Sequence, residues 1–386
     1  MADRVLRFGV LGLSRGFELM RSTFRADPRC RLVAACDVRA EAREAFATEF
    51  GGRTHAAAEA LCSDPDVEVV YIATPHGLHA EHAVLAARHG KHVLVEKPMA
   101  LDLGACRAMS RAAAEARRAL IVDPSHSFDA PVALAAELIA SGAHGPARMI
   151  TALNFTDFLY RPRHPDELDT ARGGGVVFSQ AAHQADVVRR LAGSEVVSVR
   201  AATGIWDQAR PTEGAYQVLL QFDSGASAVL VYSGYGRYDT DALMGWIGET
   251  GLPKDPDAYG TARRRLSQAP EAELKAGRAY GAPSGPPPSA PFHEHFGFVV
   301  ASCERADVRP TAAGVEVYGE DERRIYDLPP PPAPRSAVID EVWAAVVDGV
   351  SPLHSGAWGE ANLAVCLAIL KSAAERREVA IGEITT

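Results

Sequence analysis

The sequence predicts an α/β domain on a parallel sheet, followed by a second domain on a largely antiparallel, open sheet. Three observations lead there. Over residues 1–125, short apolar runs rich in Val, Ile and Leu alternate with longer helical stretches, the pattern of βαβ units. Beyond Ser125 that rhythm gives way to extended, alternating stretches separated by hairpin signals such as Asp223-Ser224-Gly225. Several of the first-half strands also end in polar, turn-forming residues, where an open α/β sheet binds its ligands.

Taken in order, Val5 to Leu11 reads as a strand that runs into Gly12-Leu13-Ser14-Arg15-Gly16-Phe17, with a helix from about Glu18. This is the position of a glycine-rich dinucleotide turn. Gly12 allows the tight turn, and the helix start offers N–H groups and a positive dipole end to a pyrophosphate. Ser14 takes the second glycine position and can donate a hydrogen bond. Phe17 takes the third, which implies looser or shifted packing of the helix on the strand. Arg31 to Cys36 is the second strand, and Asp37 follows at the spacing of a ribose-binding carboxylate, which favours NAD over NADP. Asp37 also suits a helix N-cap, since a helical run starts near Ala40. Arg39 beside it keeps NADP open.

Val67 to Ala73 is the third strand, leading into Thr74-Pro75-His76-Gly77-Leu78-His79 and a helix through Arg88. Lys91 to Val95 follows and ends in Glu96-Lys97-Pro98. Proline fixes its own φ and pushes Lys97 toward extended backbone, so the ammonium is aimed. A helix from Leu101 to Arg117 and a strand from Leu120 to Val122 complete the first domain. In the second domain, Pro131 to Ser141 reads as a helix. Strands are expected at Arg148 to Phe158, Val196 to Ile205, Ala215 to Phe222, Ala226 to Tyr235, Gly314 to Tyr318 and Arg324 to Asp327. Helices follow from Phe178 to Leu191, Ala337 to Asp348 and Gly359 to Arg377. The Pro-rich stretches Gly281 to Pro291 and Leu328 to Pro334 read as ordered connectors.

Composition narrows the class. The 386 residues give room for two domains, a first over 1–125 and a second over 126–386. With 47% hydrophobic and 23% charged residues, the chain is an ordinary globular protein. A formal net charge of −9 argues against nucleic acid or an anionic membrane surface as partner. Met1-Ala2-Asp3-Arg4 leads straight into a strand without a signal-peptide pattern, and no apolar run is long enough to span a bilayer. A cytoplasmic location is the expectation. The six cysteines lack metal-ligand spacing, and His293 and His295 have no evident third ligand, so no metal is expected.

The Gly12 turn, Asp37, Thr74-Pro75-His76 with His79, and Glu96-Lys97-Pro98 together resemble the glucose–fructose oxidoreductase and inositol dehydrogenase family of NAD(P)-dependent enzymes. In that pattern a glycine pair precedes an Asp and, four residues on, a His. Here Gly173-Gly174-Gly175 precedes Ser179 and His183. Asp157-Phe158-Leu159-Tyr160-Arg161-Pro162-Arg163, Pro165-Asp166-Glu167-Leu168-Asp169 and His293-Glu294-His295-Phe296-Gly297 look like the branch containing phthalate 4,5-cis-dihydrodiol dehydrogenases.

The resemblance implies a Rossmann domain, a small-molecule substrate and hydride transfer to nicotinamide. It also implies a homodimer or homotetramer associated through the second-domain sheet. His183 suits the base that takes the hydroxyl proton, and Lys97 can hydrogen-bond the developing alkoxide. Gly12, Ser14, Arg15, Gly16, Asp37, Thr74, Pro75, His76, His79 and Glu96 are the expected cofactor residues, with Lys97 shared. Ser179 could bridge substrate and His183. His126 could face the nicotinamide or cap a turn. Arg161 and Arg163 could hold two ring carboxylates through planar forks, or merely decorate a loop. Two rival readings stand beside a dihydrodiol dehydrogenase: a sugar or cyclitol dehydrogenase, and a non-catalytic NAD-binding subunit.

Overall fold

In the computed structural model, residues 4–123, 126–281 and 290–385 are described. They fall into two compact units. The first holds residues 1–124 together with 275–289 and 332–363, and the second holds the remainder. The chain therefore returns to its first unit twice, where the sequence suggested one cut near residue 125. Most of the Pro-rich stretch 281–291 lies outside the described residues.

The first unit is a six-stranded parallel sheet. Its strands are β1 (Leu6–Leu11), β2 (Cys30–Cys36), β3 (Arg53–His55), β4 (Val69–Ile72), β5 (His92–Glu96) and β6 (Leu120–Asp123), in the spatial order β3-β2-β1-β4-β5-β6. Branched side chains on β1, β4 and β5 are buried on both faces, which is why these strands read as continuous apolar runs. Two elements were not anticipated: the short edge strand β3 and the helix Ala58–Cys62. The C-terminal part returns to pair with the other edge, where His354 accepts a hydrogen bond from the Val122 N–H at 2.8 Å.

The second unit carries a nine-stranded sheet. Its strands are β7 (Ala147–Phe155), β8 (Val196–Gly204), β9 (Ala215–Phe222), β10 (Ser227–Ser233), β11 (Phe298–Cys303), β12 (Ala306–Thr311), β13 (Gly314–Gly319), β14 (Arg323–Asp327) and β15 (Val379–Ala380). The order is β14-β13-β12-β11-β7-β10-β9-β8-β15, and all neighbours are antiparallel except β7 and β10. The Asp223-Ser224-Gly225 hairpin joins β9 to β10, with Gly225 at φ +82°. Strands β11, β12 and β15 are additions to the expected set.

Helices Ala130–Ala140 and Ala182–Ala192 cover one face of this sheet. On the other face Met149, Leu219 and Val229 are substantially exposed, with Val229 directly opposite Leu219 in register. No helix among the described residues is long and apolar enough to cross a membrane.

Candidate active site

Because β1, β4 and β5 are adjacent, their carboxyl ends bring Gly12 to Ser14, Thr74 to His76, and Glu96 with Lys97 to one sheet edge. Gly12 sits at φ +89°, and a Cβ there would lie 2.7 Å from the Ala73 carbonyl oxygen, so only glycine fits the turn. The helix that follows is Arg15–Ala26, three residues earlier than expected, because Ser14 is its N-cap. The Ser14 hydroxyl accepts from the Gly16 N–H at 3.3 Å and donates to the Ala73 carbonyl at 2.6 Å. Its hydrogen thus joins β1 to β4, and the helix's own first-turn N–H groups, beginning near the exposed Arg15, are what the turn offers to an anion.

Phe17 does not loosen the packing. It is fully buried against Phe46, Phe50 and Tyr280, with centroids 6.2, 6.1 and 4.9 Å away. The close approach belongs to Gly16 instead, where an added Cβ would come within 2.8 Å of Glu96 Oε1.

Asp37 is not a helix cap, since the helix Ala40–Phe50 begins after Arg39 without a side-chain cap. Asp37 Oδ2 accepts from the Leu13 N–H at 2.7 Å, and Oδ1 accepts from the Arg39 N–H and Nε at 2.9 and 3.1 Å. The carboxylate therefore braces the glycine turn from the end of β2. Arg39 Nη2 also donates to Oδ2 at 3.2 Å, so each carboxylate oxygen already accepts two bonds. Arg39 is paired with Asp37 itself and hydrogen-bonds the Leu13 carbonyl at 2.6 Å.

Among the other expected cofactor residues, Pro75 is exposed and His76 half-buried. Thr74 Oγ1 lies 3.0 Å from His82 Nδ1. His79 is fully buried, with Nδ1 2.9 Å from the Pro98 carbonyl oxygen and Nε2 2.8 Å from that of Thr74. It is a brace between the β4 and β5 ends rather than a group facing a ligand. Its pKa is lowered chiefly by burial, which the two carbonyls oppose. The Tyr71 hydroxyl donates to Glu96 Oε1. Burial raises the Glu96 carboxyl to about 7, against the pull of Arg335, Tyr71 and Lys97. Lys97 follows, half-buried, and its peptide bond to Pro98 is cis.

The second unit carries candidate residues of its own on a turn and a loop. Gly175, at φ +79°, faces the buried Glu213, whose Oε1 lies 2.0 Å from where a Cβ would stand. Glu213 also accepts from the Val177 N–H at 3.1 Å and from the Thr212 hydroxyl at 3.1 Å. The glycine run thus admits a carboxylate that anchors a π-helical turn, Val177–Ala181, ahead of the helix Ala182–Ala192. Single π turns recur at functional sites because they re-aim the residues around them. Here the Ser179 hydroxyl donates back to the Gly175 carbonyl, so its hydrogen serves the turn.

His183, 9% exposed, stands against His126 and Phe296, with ring centroids 4.8 and 4.7 Å away. His126 packs on Phe296 at 5.0 Å and pairs through Nδ1 with Asp129 Oδ2 at 2.7 Å. Glu294 is buried beside them: one atom each of His126, Asp129 and Glu294 lies within 4.8 Å of the others. Tyr232 stacks on Phe296 at 6.3 Å, and its hydroxyl donates to the Gln180 side chain at 3.2 Å.

Arg161 joins the same cluster through Glu249. Its Nη1 donates to Glu249 at 3.0 Å and its Nε to Asp157 at 3.1 Å. Burial alone would raise the Glu249 pKa, but Arg161, Asn154 and His126 hold it down at about 2. Among the described residues, Arg161 Nη2 has no acceptor of its own. Arg163 is different: it lies 3.5 Å above the Phe158 ring and donates to the Phe158 carbonyl and Glu167. Its guanidinium organises the loop, and the expected pair of carboxylate forks reduces to one.

Sequence reasoning missed Asp129, Glu249, Glu294, Phe296, Tyr71 and Arg335. Asp129 was signalled by its i,i+3 spacing from His126 ahead of a helix. Glu294 and Phe296 stood inside a stretch noted for its two histidines and for its likeness to the dihydrodiol branch, without a role of their own.

A family model for oxidoreductases with an NAD-binding Rossmann fold (GFO/IDH/MocA) matches residues 6–123, and the model for a C-terminal domain of that family matches residues 132–252. A 1-carboxy-3-chloro-3,4-dihydroxycyclohexa-1,5-diene dehydrogenase of Comamonas testosteroni is 45% identical over 375 residues, covering 95% of this chain and 94% of its own. The inositol 2-dehydrogenase of Rhizobium meliloti (strain 1021) is 28% identical over 381 residues, covering 98% and 99%. The crystal structure of a dehydrogenase from Bordetella bronchiseptica RB50 superposes with a TM-score of 0.91 at 37% identity, covering 97% of this chain and all of its own. The chain belongs to the GFO/IDH/MocA oxidoreductase family and is an NAD-dependent dehydrogenase, which sets aside the non-catalytic reading.

Proposed function

We propose that the chain oxidises a dihydrodiol on a carboxylated cyclohexadiene ring to the corresponding catechol. The observation that carries this is the 45% identity, over nearly the full length of both chains, to a dehydrogenase named for a ring of that kind. Arg161 supports it from the chain's own side: anchored by two carboxylates, it keeps Nη2 for a third, the arrangement suited to one ring carboxylate. A doubly charged ring such as 4,5-dihydro-4,5-dihydroxyphthalate remains the specific candidate from the sequence, with Arg163 no longer its second reader.

The chain's residues suit NAD. Gly12 makes the tight turn where a Cβ would strike the Ala73 carbonyl, the first turn of the helix Arg15–Ala26 presents N–H groups, and Asp37 offers a carboxylate. When bound, NAD supplies the hydride acceptor. His183 takes the hydroxyl proton, and Lys97 hydrogen-bonds the oxygen as it gains negative charge. The hydroxyketone so formed tautomerises to an aromatic ring, which makes the overall oxidation strongly downhill. A cyclitol has no such pull, and its oxidation would be readily reversible.

The test is NADH formation, followed by absorbance, over carboxylated dihydrodiols, an uncharged dihydrodiol, inositols and pyranoses. Turnover of the carboxylated dihydrodiols with kcat/KM at least ~10-fold above the rest is expected. Oxidation of inositols with the dihydrodiols inert would replace this reading by the cyclitol one. We also propose a homodimer or homotetramer formed through the open face of the second sheet, supported by exposed Met149, Leu219 and Val229. Light scattering should show an oligomer that a Leu219→Asp, Val229→Asp double variant breaks into monomers. A monomeric wild-type protein would end that proposal.

A further inference from the structure

We propose that His126 and Asp129 are a positioning pair for His183: Asp129 fixes the His126 ring, and the pair's charge stabilises the cation that His183 becomes on taking a proton. This rests on the reading of His183 as the base. It goes beyond that reading by assigning the group that sustains the base.

The pair is held in place from both sides. His126 lies in the 3₁₀ turn His126–Phe128, and the Ser127 N–H donates at 3.0 Å to Oδ2 of Asp186. Asp186 is fully buried and stands one turn beyond His183 on the same helix. The turn and the helix are therefore clamped together next to the two rings, which meet edge to face at 66° with 4.8 Å between centroids. Phe296 is buried against both. A carboxylate on Nδ1 makes that nitrogen the donor in the neutral ring. The His126 ring, with the Asp129 negative charge behind it, stands edge to face beside His183. The Ser179 hydroxyl, whose hydrogen goes to the Gly175 carbonyl, cannot supply that charge.

The charged groups around the pair within the second unit are Glu294, close to both His126 and Asp129, Glu249 with its Arg161 partner, and Asp186 behind the turn. The cluster also has the composition of a metal site. However, a metal about 2.0–2.2 Å from each ligand holds neighbouring ligand atoms roughly 3 Å or more apart. The 2.7 Å between His126 Nδ1 and Asp129 Oδ2 is the length of a shared proton.

Asp129→Asn is the decisive variant. Asparagine is isosteric and as good a residue at the start of the helix Ala130–Ala140, so the fold is retained while the charge is removed. With the charge gone, the His183 imidazolium is less favoured. Its titration midpoint, followed by imidazole NMR on the intact protein and assigned with His183→Ala, should fall by roughly half to one pH unit. The acidic limb of kcat/KM for oxidation, which needs neutral His183, should move down by the same amount. The kcat should drop roughly 10-fold or more with KM changed less than about 3-fold. Asp129→Glu should restore the limb.

A loss of activity with the limb and the NMR midpoint unmoved would show a merely structural role and overturn the proposal. Activity abolished by a chelator and restored by zinc or manganese would overturn it in favour of a metal. If the wild-type protein oxidises nothing on the panel, the proposed reaction fails, and the NMR titration still decides whether the pair acts on His183.

Discussion

In the first unit the candidate residues hang from the ends of three neighbouring parallel strands, and most of what holds them is backbone. Gly12, Gly16, the Ser14 cap and the His79 brace all act by shape or by bonds to carbonyls. In the second unit the candidate residues come from a π turn, a 3₁₀ turn and two loops, and what holds them is charge. Glu213 and Asp186 are buried, and Asp129 and the Arg161–Glu249 pair are half-buried. A dinucleotide's pyrophosphate presents the same groups whatever the substrate, so a fixed backbone cradle serves it. A substrate varies, and networks of ionised side chains can be re-tuned one residue at a time.

The sharpest way to break this comparison is at the reaction itself. Lys97→Ala and His183→Ala should each lower turnover at least ~100-fold while leaving NAD affinity within a few fold, measured by steady-state kinetics and calorimetry. Turnover close to wild type in either variant would remove that residue from the mechanism. A parallel loss of NAD affinity in His183→Ala would show that the two units do not divide the work.

Next comes a charge that the first unit tolerates. The Glu96 carboxyl is raised from 4.5 to about 7 by burial, against Arg335, Tyr71 and Lys97. A carboxyl raised in the folded state stabilises fully below the unfolded value, and that contribution is lost as pH rises through the folded one. Stability linked to Glu96 should therefore fall between about pH 4.5 and 7 and then level off, by on the order of 3 kcal/mol at most. Glu96→Gln should flatten that window in urea melts run across it. An identical slope in wild type and variant would mean that Glu96 ionises normally.

These two predictions draw on parts of the molecule that the sequence revealed to different degrees. The parallel sheet was legible because its strands are apolar on both faces and separated by helices of obvious period. Lys97, Asp37 and His183 were legible because motif and spacing mark them. What was not legible follows from distance along the chain. Arg335 reaches Glu96, and Tyr280 reaches Phe17, only because residues 275–289 and 332–363 rejoin the first unit. Strand β12 was hidden by Pro310, a residue that argues against a strand, although it pairs with Val315 there. At Phe17 the packing is shifted, not loosened: the turn's close-packing glycine is Gly16, one residue earlier than the motif template asks.

A smaller effect is expected at Asp37. Its carboxylate does two jobs, bracing the Leu13 N–H and standing where a ribose diol would be read. Asp37→Ala should narrow the preference for NAD over NADP by about 10-fold, read as the ratio of the two kcat/KM values, with some loss of stability from the unbraced turn. Equal or better kinetics with NADP in the unmodified protein would show that Arg39, not Asp37, sets the choice.

The smallest effect separates two arginines that the sequence treated as equals. Arg161 is anchored by Asp157 and Glu249 through Nε and Nη1, whereas Arg163 is stacked on Phe158 and bonded to its carbonyl. A charge-assisted hydrogen bond is typically worth ~1.5–3 kcal/mol, and the two neighbouring carboxylates weaken the field that Arg161 offers to a third. Arg161→Ala should therefore raise KM about 5- to 10-fold for a carboxylated dihydrodiol and leave an uncharged one nearly unchanged. Removing Arg161 also leaves Glu249 without its main partner, so Arg161→Lys is the cleaner variant: it keeps the charge and loses the fork, and should fall between the two. Arg163→Ala should act on both substrates alike, through a loosened loop and a lower Tm. If Arg161→Ala changes the charged and uncharged substrates equally, it is a loop residue like Arg163, and the substrate's carboxylate is read elsewhere.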